Sequence, residues 1–354
     1  MSKEENYINR CIELAKKGAG MVSPNPLAGC VLVKGNKIIG EGYHKKSGGP
    51  HAEINAIRNA ERSGYSTEGA DLYINLEPCC HYGKTPPCTE AIISKKIRKV
   101  IIGISDPNPL VNGRGIRELK KAGIEVTTGI KEEECRELNR FFIKHIIEKR
   151  PYITLKIAQS LDGFIALENF KSKWITNSKS RELVYLLRAE YDAVLIGRNT
   201  ALRDNPLLTS HKKGRNPKRI IIDRKNDLPK SLNIFKNTKD TIIITSKLSN
   251  EYDKGSQLIL KDKKRYLIRD ILSELYRRNI SSILVEGGAS IFSQFAESNL
   301  FDEIYFFIAP IILGEGIAPF RDYKTNEIKD RFGLKAAELR NSDNDIMIRY
   351  RRNK

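Results

Sequence analysis

Four side chains in the first quarter of the chain have the types and spacing for metal-assisted hydrolysis. His51 and Glu53 stand two residues apart in Gly48-Gly49-Pro50-His51-Ala52-Glu53, and Cys79 and Cys88 follow with eight residues between them. One imidazole and two thiolates suit zinc, which is usually tetrahedral, so three protein donors leave one position for water. Zinc lowers the pKa of such a water to about 7. A carboxylate beside the metal but not bound to it, here Glu53, can take that proton and pass it on. The competing arrangement is a closed structural site, with Cys80 or His81 as fourth donor and no task for Glu53. The order Pro78-Cys79 favours Cys79 over Cys80 as ligand, and Cys80 is then expected to be a small buried side chain.

His-x-Glu followed by Pro-Cys and a further Cys is a signature of zinc deaminases, in which the Glu delivers its proton to a ring nitrogen and to leaving ammonia. The expected reaction is hydrolytic loss of an amino group from a ring. The usual cysteine spacing is two residues, so the insert here is a departure. Asn25 lies in the rigid loop Ser23-Pro24-Asn25-Pro26-Leu27-Ala28-Gly29. It offers a donor and an acceptor, which suits reading a base edge as well as forming a turn. His44 reads as a pocket-mouth residue or an ordinary strand residue. Cys11, Cys30 and Cys135 fall in apolar patterns and are expected to pack, and His145 to cap or solvate a helix end.

These residues need a frame. Apolar spacing predicts a helix over 4–17, strands over 28–33 and 37–43, and a helix whose first turn carries His51 and Glu53. A strand over 71–76 leads into the cysteine loop, and a helix over 89–96 follows Cys88. Two helix N-termini would then converge on the metal and favour thiolate. Strand 100–104, helix 115–121, strand 124–128 and helix 132–146 complete an α/β domain.

Charge and proline at Glu148-Lys149-Arg150-Pro151 mark a boundary, giving expected domains of 1–147 and 148–354. The second half alternates again: strand 152–158, helix 178–189, strand 193–197, a loop over 198–208, strands 219–223 and 241–245, helix 266–278, and strands 282–285, 303–309 and 346–351. After strand 282–285, Glu286-Gly287-Gly288-Ala289-Ser290 opens a helix, where backbone N–H groups can approach a pyrophosphate or simply form a tight turn. Trp174 could stack on a ring or fill core, and Arg188 could grip phosphate or snorkel to the surface. The half reads as a phosphate or nucleotide site.

The chain has 354 residues and a net charge of +19, spread over both halves without a basic tail. Such charge attracts phosphates, whether of nucleic acid or of small molecules, or else reflects compositional bias. The charged N-terminus lacks the apolar core of a signal peptide, and the longest apolar run, Ile304–Leu313, is broken by Pro310 and too short to span a bilayer. The expectation is a cytoplasmic protein without a membrane partner, whose clustered cysteines hold metal rather than disulfides.

Together these motifs resemble the bifunctional riboflavin-biosynthesis deaminase-reductases over nearly the whole chain. The resemblance rests on Ser23-Pro24-Asn25-Pro26, His51-Ala52-Glu53, Glu77-Pro78-Cys79, Gly83-Lys84-Thr85-Pro86-Pro87-Cys88 and Asp106-Pro107-Asn108-Pro109. In the second half it rests on Ser160-Leu161-Asp162-Gly163, Trp174-Ile175-Thr176, Asp204-Asn205-Pro206 and Val285-Glu286-Gly287-Gly288. The long loop ending Thr-Pro-Pro-Cys is the family's own and accounts for the insert.

The resemblance implies a cytidine-deaminase-like three-layer α/β domain followed by a dihydrofolate-reductase-like α/β domain. The first would hold one Zn2+ per chain and remove the 2-amino group of 2,5-diamino-6-ribosylamino-4(3H)-pyrimidinone 5′-phosphate. The second would reduce the ribosyl group to ribityl with NADPH. Carried over, the cofactor would meet Ala158, Trp174, Thr200, Asp204, Arg224, Gly288, Ala289, Ser290, Ile291 and Phe292. Substrate would meet Ser172, Arg188, Leu208, His211 and Glu286, with Arg188 holding phosphate. His211 replaces the family's usual Arg and lacks its fixed fork, and Arg224 stands where a Ser or Thr is common. The resemblance further implies a homo-oligomer joined through the reductase domain and no nucleic-acid partner. An RNA-binding zinc deaminase with a C-terminal binding module is the alternative reading, and a zinc-stabilised scaffold a third.

Overall fold

Strands of the first half carry apolar residues at both odd and even positions, so each must be covered on two faces. Cys30 and Leu32 turn to one core with Ala56, Ile57, Ile92 and Leu119, while Val31 and Val33 turn to another with Ile8, Cys11, Cys135 and Phe142. The result is three layers, a sheet between two sets of helices. The computed structural model describes residues 2–83, 85–236, 238–249, 256–259, 267–327 and 332–352. The chain divides into two units, Met1–Lys149 and Arg150–Lys354.

The first unit runs α1 (Lys3–Lys16), β1 (Gly29–Lys34), β2 (Lys37–Tyr43), α2 (Ala52–Arg62), β3 (Asp71–Leu76), α3 (Cys88–Ser94), β4 (Lys99–Ile104), α4 (Arg114–Lys121), β5 (Glu125–Thr128), α5 (Glu132–Leu138) and α6 (Arg140–Glu148). Its sheet is ordered β2-β1-β3-β4-β5, with β1 antiparallel to both neighbours and β3, β4 and β5 parallel. Gly42 lets α2 lie almost on β2: a Cβ there would sit 2.3 Å from the Ala56 backbone nitrogen. The helix predicted over 132–146 is two helices meeting at Asn139. The Asn139 side chain clamps Leu27 instead, accepting from its N–H (2.8 Å) and donating to its carbonyl (3.0 Å).

The second unit runs β6 (Tyr152–Ser160), α7 (Ser178–Glu190), β7 (Ala193–Gly197), α8 (Arg198–Asp204), β8 (Lys218–Ile222), β9 (Thr241–Thr245), β10 (Gln257–Ile259), α9 (Ile268–Arg277), β11 (Ser282–Gly287), α10 (Ala289–Glu297), β12 (Glu303–Ala309), β13 (Leu334–Ser342) and β14 (Asp345–Arg352). Its sheet is ordered β10-β9-β8-β7-β11-β6-β12-β14-β13. All pairs are parallel up to β12, and β14 and β13 return antiparallel. Helices α9 and α10 cover one face through Ile271, Leu275, Phe292 and Phe295, and α7 covers part of the other with Val184 against Phe307.

Two expectations need correction here. The segment 198–208 opens as helix α8 before Asn205 stops it in the left-handed region (φ 42°). β10 and β13 were not expected; β13 is exposed almost throughout, so its sequence lacks the alternation that marks a half-buried strand. The expected helix start at Tyr266 lies outside the described residues.

Candidate active sites

In the first unit, β3 delivers Cys79 through Glu77-Pro78, α2 opens directly after His51, and α3 begins at Cys88. His51 Nδ1 lies 3.5 Å from Cys79 Sγ and 3.3 Å from Cys88 Sγ, and the three donor atoms fall within 4.8 Å of one another. The Cys88 N–H donates to Cys79 Sγ (3.4 Å). Hydrogen bonding from the Cys88 thiol, helped by His51, holds Cys79 well below the ordinary thiol range, and the same contact with burial pushes Cys88 up. A thiol held towards its thiolate beside a second thiol and an imidazole is ready to exchange its proton for a divalent cation. The set fits zinc.

Among the described residues no fourth donor joins this cluster. The Cys80 thiol turns to the Leu110 carbonyl (3.8 Å), and Cys80 is half-buried rather than buried as expected. Glu53, one residue into α2, is buried, and burial followed by the charge of Cys79 pushes its carboxyl up to about 7.

The frame around this cluster is built from polar side chains. Glu77, buried, accepts from the N–H groups of Asp106 (3.1 Å), Gly113 (3.0 Å) and Ile116 (3.2 Å), tying the loop before α4 to the cysteine loop. Asn75 accepts from Gly29 N (2.7 Å) and donates to Leu27 O (2.9 Å), so the loop carrying Asn25 is gripped by Asn75 and Asn139 together. His44 is buried between the Pro50 carbonyl (Nδ1, 3.1 Å) and the Asn25 amide (Nε2, 3.3 Å), with its ring edge-on to His51 at 5.3 Å. The Asn25 amide therefore stands one ring away from a metal donor. His145, in the last turn of α6, is buried, so of its two expected roles, capping or solvating the helix end, the solvated one falls.

In the second unit, Arg188 of α7 and Glu286 of β11 form a pair largely shielded from water. Arg188 Nε and Nη2 donate to the two carboxylate oxygens (2.6 and 2.8 Å), and Nη1 donates to the Thr209 carbonyl (3.1 Å). The expected phosphate gripper thus spends part of its fork on Glu286. Lys156 of β6 places Nζ 3.8 Å from the same carboxylate and is half-buried, and Ala158 follows on the same strand face. Burial pulls the Lys156 ammonium below its ordinary value, with Glu286 opposing. Reading the sequence passed over Lys156, although a lysine inside Tyr152–Ala158, an otherwise buried strand, is itself a signal.

Other expected residues gather in smaller groups. Gly288 has φ 85°, and a Cβ there would sit 3.1 Å from Thr200 Oγ1, leaving a bare backbone cradle where α10 begins with Ala289, Ser290, Ile291 and Phe292. The Ser172 hydroxyl donates to Asp204 Oδ1 (3.3 Å). Trp174 is 71% exposed under the Arg181 guanidinium (4.6 Å), so it does not fill core. Leu208 is buried. His211 stacks on Tyr185 at 4.0 Å, and Tyr185 in turn lies 5.7 Å from Arg188. Arg224 lines a cavity beyond the ends of β8 and β9.

Residues 1–104 match the cytidine and deoxycytidylate deaminase zinc-binding region, and residues 151–348 match the RibD C-terminal domain. Riboflavin biosynthesis protein RibD of Aquifex aeolicus is 41% identical over 356 residues, covering 99% of this chain and 98% of its own. The RibD of Escherichia coli is 37% identical over 329 residues, covering 88% and 89%. A crystal structure from Thermotoga maritima, a diaminohydroxyphosphoribosylaminopyrimidine deaminase/5-amino-6-(5-phosphoribosylamino)uracil reductase, has a TM-score of 0.91 at 42% identity over 99% of both chains. Acinetobacter baumannii RibD has the same TM-score at 36% identity.

Proposed function

The chain belongs to the RibD family of riboflavin-biosynthesis enzymes, and on that premise we propose how its own residues carry the two reactions. It is a bifunctional deaminase and reductase that uses zinc and a nicotinamide cofactor. The first unit hydrolyses the 2-amino group of the diaminopyrimidinone ribosyl phosphate. The second reduces the resulting 5-amino-6-(5-phosphoribosylamino)uracil to its ribitylamino product. The RNA-binding alternative falls, because the second half matches a reductase domain. Among the described residues no helix is long and apolar enough to cross a membrane.

The observation that carries the deaminase assignment is the gathering of His51, Cys79 and Cys88 around one point with Glu53 unligated beside them. His51 Nδ1 and the two thiolates would hold one zinc per chain. Zinc bound there supplies a Lewis acid that lets water attack at neutral pH. Glu53 takes the proton from the attacking water and gives it to the ring nitrogen, and a second proton leaves with ammonia through the same carboxyl. Its raised pKa suits both receipt and return of a proton. Asn25, held by His44, lies where the ring edge is read.

In the second unit we assign the cofactor to Ala158, Trp174, Thr200, Asp204, Arg224 and the turn from Gly288 to Phe292. The support is the bare cradle at Gly288 and the helix N-terminus behind it. NADPH supplies the hydride that reduces the sugar. Ser172, Leu208, His211, Arg188 and Glu286 take the substrate. Arg188 fixes Glu286, keeping further N–H groups for the phosphate, and His211 presents its ring edge from the Tyr185 stack. Lys156, between Ala158 and Glu286, stands to hand a proton to the sugar oxygen as hydride arrives. Six free cysteines, two in the metal cluster, suit the reducing cytoplasm, and the bare edge strand β13 suits pairing of reductase units into an oligomer.

The test is Glu53→Gln. Ammonia release should fall by at least about a hundredfold while bound zinc and reduction of the deaminated substrate persist. Undiminished ammonia release would refute the role.

A further inference from the structure

Cys79 and Cys88 reach the metal cluster from different places, one from the loop after β3 and the other as the first residue of α3. A loop holds a side chain less firmly than the elements it connects. Something must therefore set the distance between the two sulfurs. Helix α4 bears on both segments. Its N-cap is Gly113, so the helix has no side-chain cap of its own. Glu77, two residues before Cys79, supplies one from across the sheet. Its Oε2 accepts from Gly113 N (3.0 Å) and its Oε1 from Ile116 N (3.2 Å), in the first turn. Such N–H groups have no partner within a helix, and the helix dipole favours a carboxylate among them.

Gly115 makes this approach possible: a Cβ there would lie 2.3 Å from the Pro78 carbonyl oxygen. The first turn of α4 thus rests on the residue immediately before Cys79. Three residues further along, Glu118 Oε2 accepts from the Thr89 hydroxyl (2.9 Å). Thr89 directly follows Cys88 and is fully buried, and its N–H donates to the Cys79 carbonyl (3.2 Å). Residues three apart share one face of a helix. One face of α4 therefore meets Pro78 beside one sulfur and Thr89 beside the other.

We infer, on the reading of His51, Cys79 and Cys88 as zinc donors, that α4 is a brace fixing the separation of the two sulfurs, with Glu77, Thr89 and Glu118 as positioning residues of the metal site. None of the three joins the donor cluster. They act through the backbone on either side of the ligands. Partners that orient metal ligands without touching the metal account for roughly 10- to 100-fold in affinity. Here the partners lie on a single helix, so the two thiolates are held by one rigid body rather than by two loops.

Competition for zinc between the full chain and a chelating dye tests this, with the absorption bands of the cobalt-substituted chain as a readout of donor geometry. Glu118→Ala and Thr89→Val should each weaken zinc about tenfold and alter the cobalt bands. Glu118→Gln, which keeps an oxygen for the Thr89 hydroxyl, should retain the affinity of the unaltered chain. Glu77→Gln should weaken zinc as well, because one of its two accepting oxygens becomes an amide nitrogen. The Glu118 side chain is exposed, so its removal leaves the core intact and carries the test even where Thr89→Val does not fold. Unchanged zinc affinity in Glu118→Ala, or a loss in Glu118→Gln as large as in Glu118→Ala, overturns the brace alone. Failure of the unaltered chain to bind zinc overturns the donor reading as well.

Discussion

Arg188 and Glu286 meet through two hydrogen bonds of 2.6 and 2.8 Å inside the second unit, joining the last turn of α7 to the end of β11. Both side chains are largely shielded from water, and Lys156 completes a group of two cations about one carboxylate. Removing the carboxylate leaves two largely shielded cations without their counter-charge. Glu286→Gln should therefore cost about 3 kcal/mol in the unfolding of the second unit. Hydrogen exchange of the backbone amides of β6 and β11 along a urea series measures it. A loss below about 0.5 kcal/mol, the usual size for surface changes, would show that the pair carries no such weight.

The same pair sets a pH dependence. Burial opposes ionisation of Glu286, but Arg188 and then Lys156 outweigh it, leaving the carboxyl below its ordinary 4.5. A depressed carboxylate contributes stability that is present above the unfolded pKa and lost as pH falls through the folded one. Unfolding curves of the second unit from about pH 6 to about pH 3 should show a loss below the ordinary value that Glu286→Gln lacks. Parallel curves would contradict it.

Cys79 and Cys80 should behave oppositely towards metal. Cys79 Sγ points at His51 and Cys88, whereas Cys80 Sγ points at the Leu110 carbonyl. Cys79→Ser should lose most bound zinc and Cys80→Ser should keep it, as read by atomic absorption on the purified chain. Equal retention in both would reject the donor set.

Much of this was legible in the residues because the chemistry is local. His51 and Glu53 are two residues apart at one helix start, so their relation needs no tertiary contact to be read. The β-strands of both cores follow from apolar runs. What sequence did not expose are the relations made by folding. Asn75 and Asn139 fall inside a predicted strand and a predicted helix, yet both grip Leu27, and at Asn139 the helix breaks in two. Glu77 reads as part of a motif, but its carboxylate is spent on three backbone N–H groups. Lys156 becomes meaningful only when β11 lies beside β6 and sets Glu286 within 3.8 Å of it. Edge strand β13 carries no alternation to read, since neither face is covered.

The central claim is that one chain performs two reactions in a fixed order. Incubation of the zinc-loaded protein with the diaminopyrimidinone ribosyl phosphate, with and without NADPH, tests it most directly. The account predicts ammonia release in both cases, and NADPH oxidation only after ammonia has begun to appear. NADPH oxidation without prior ammonia release, or ammonia release that requires NADPH, would contradict it.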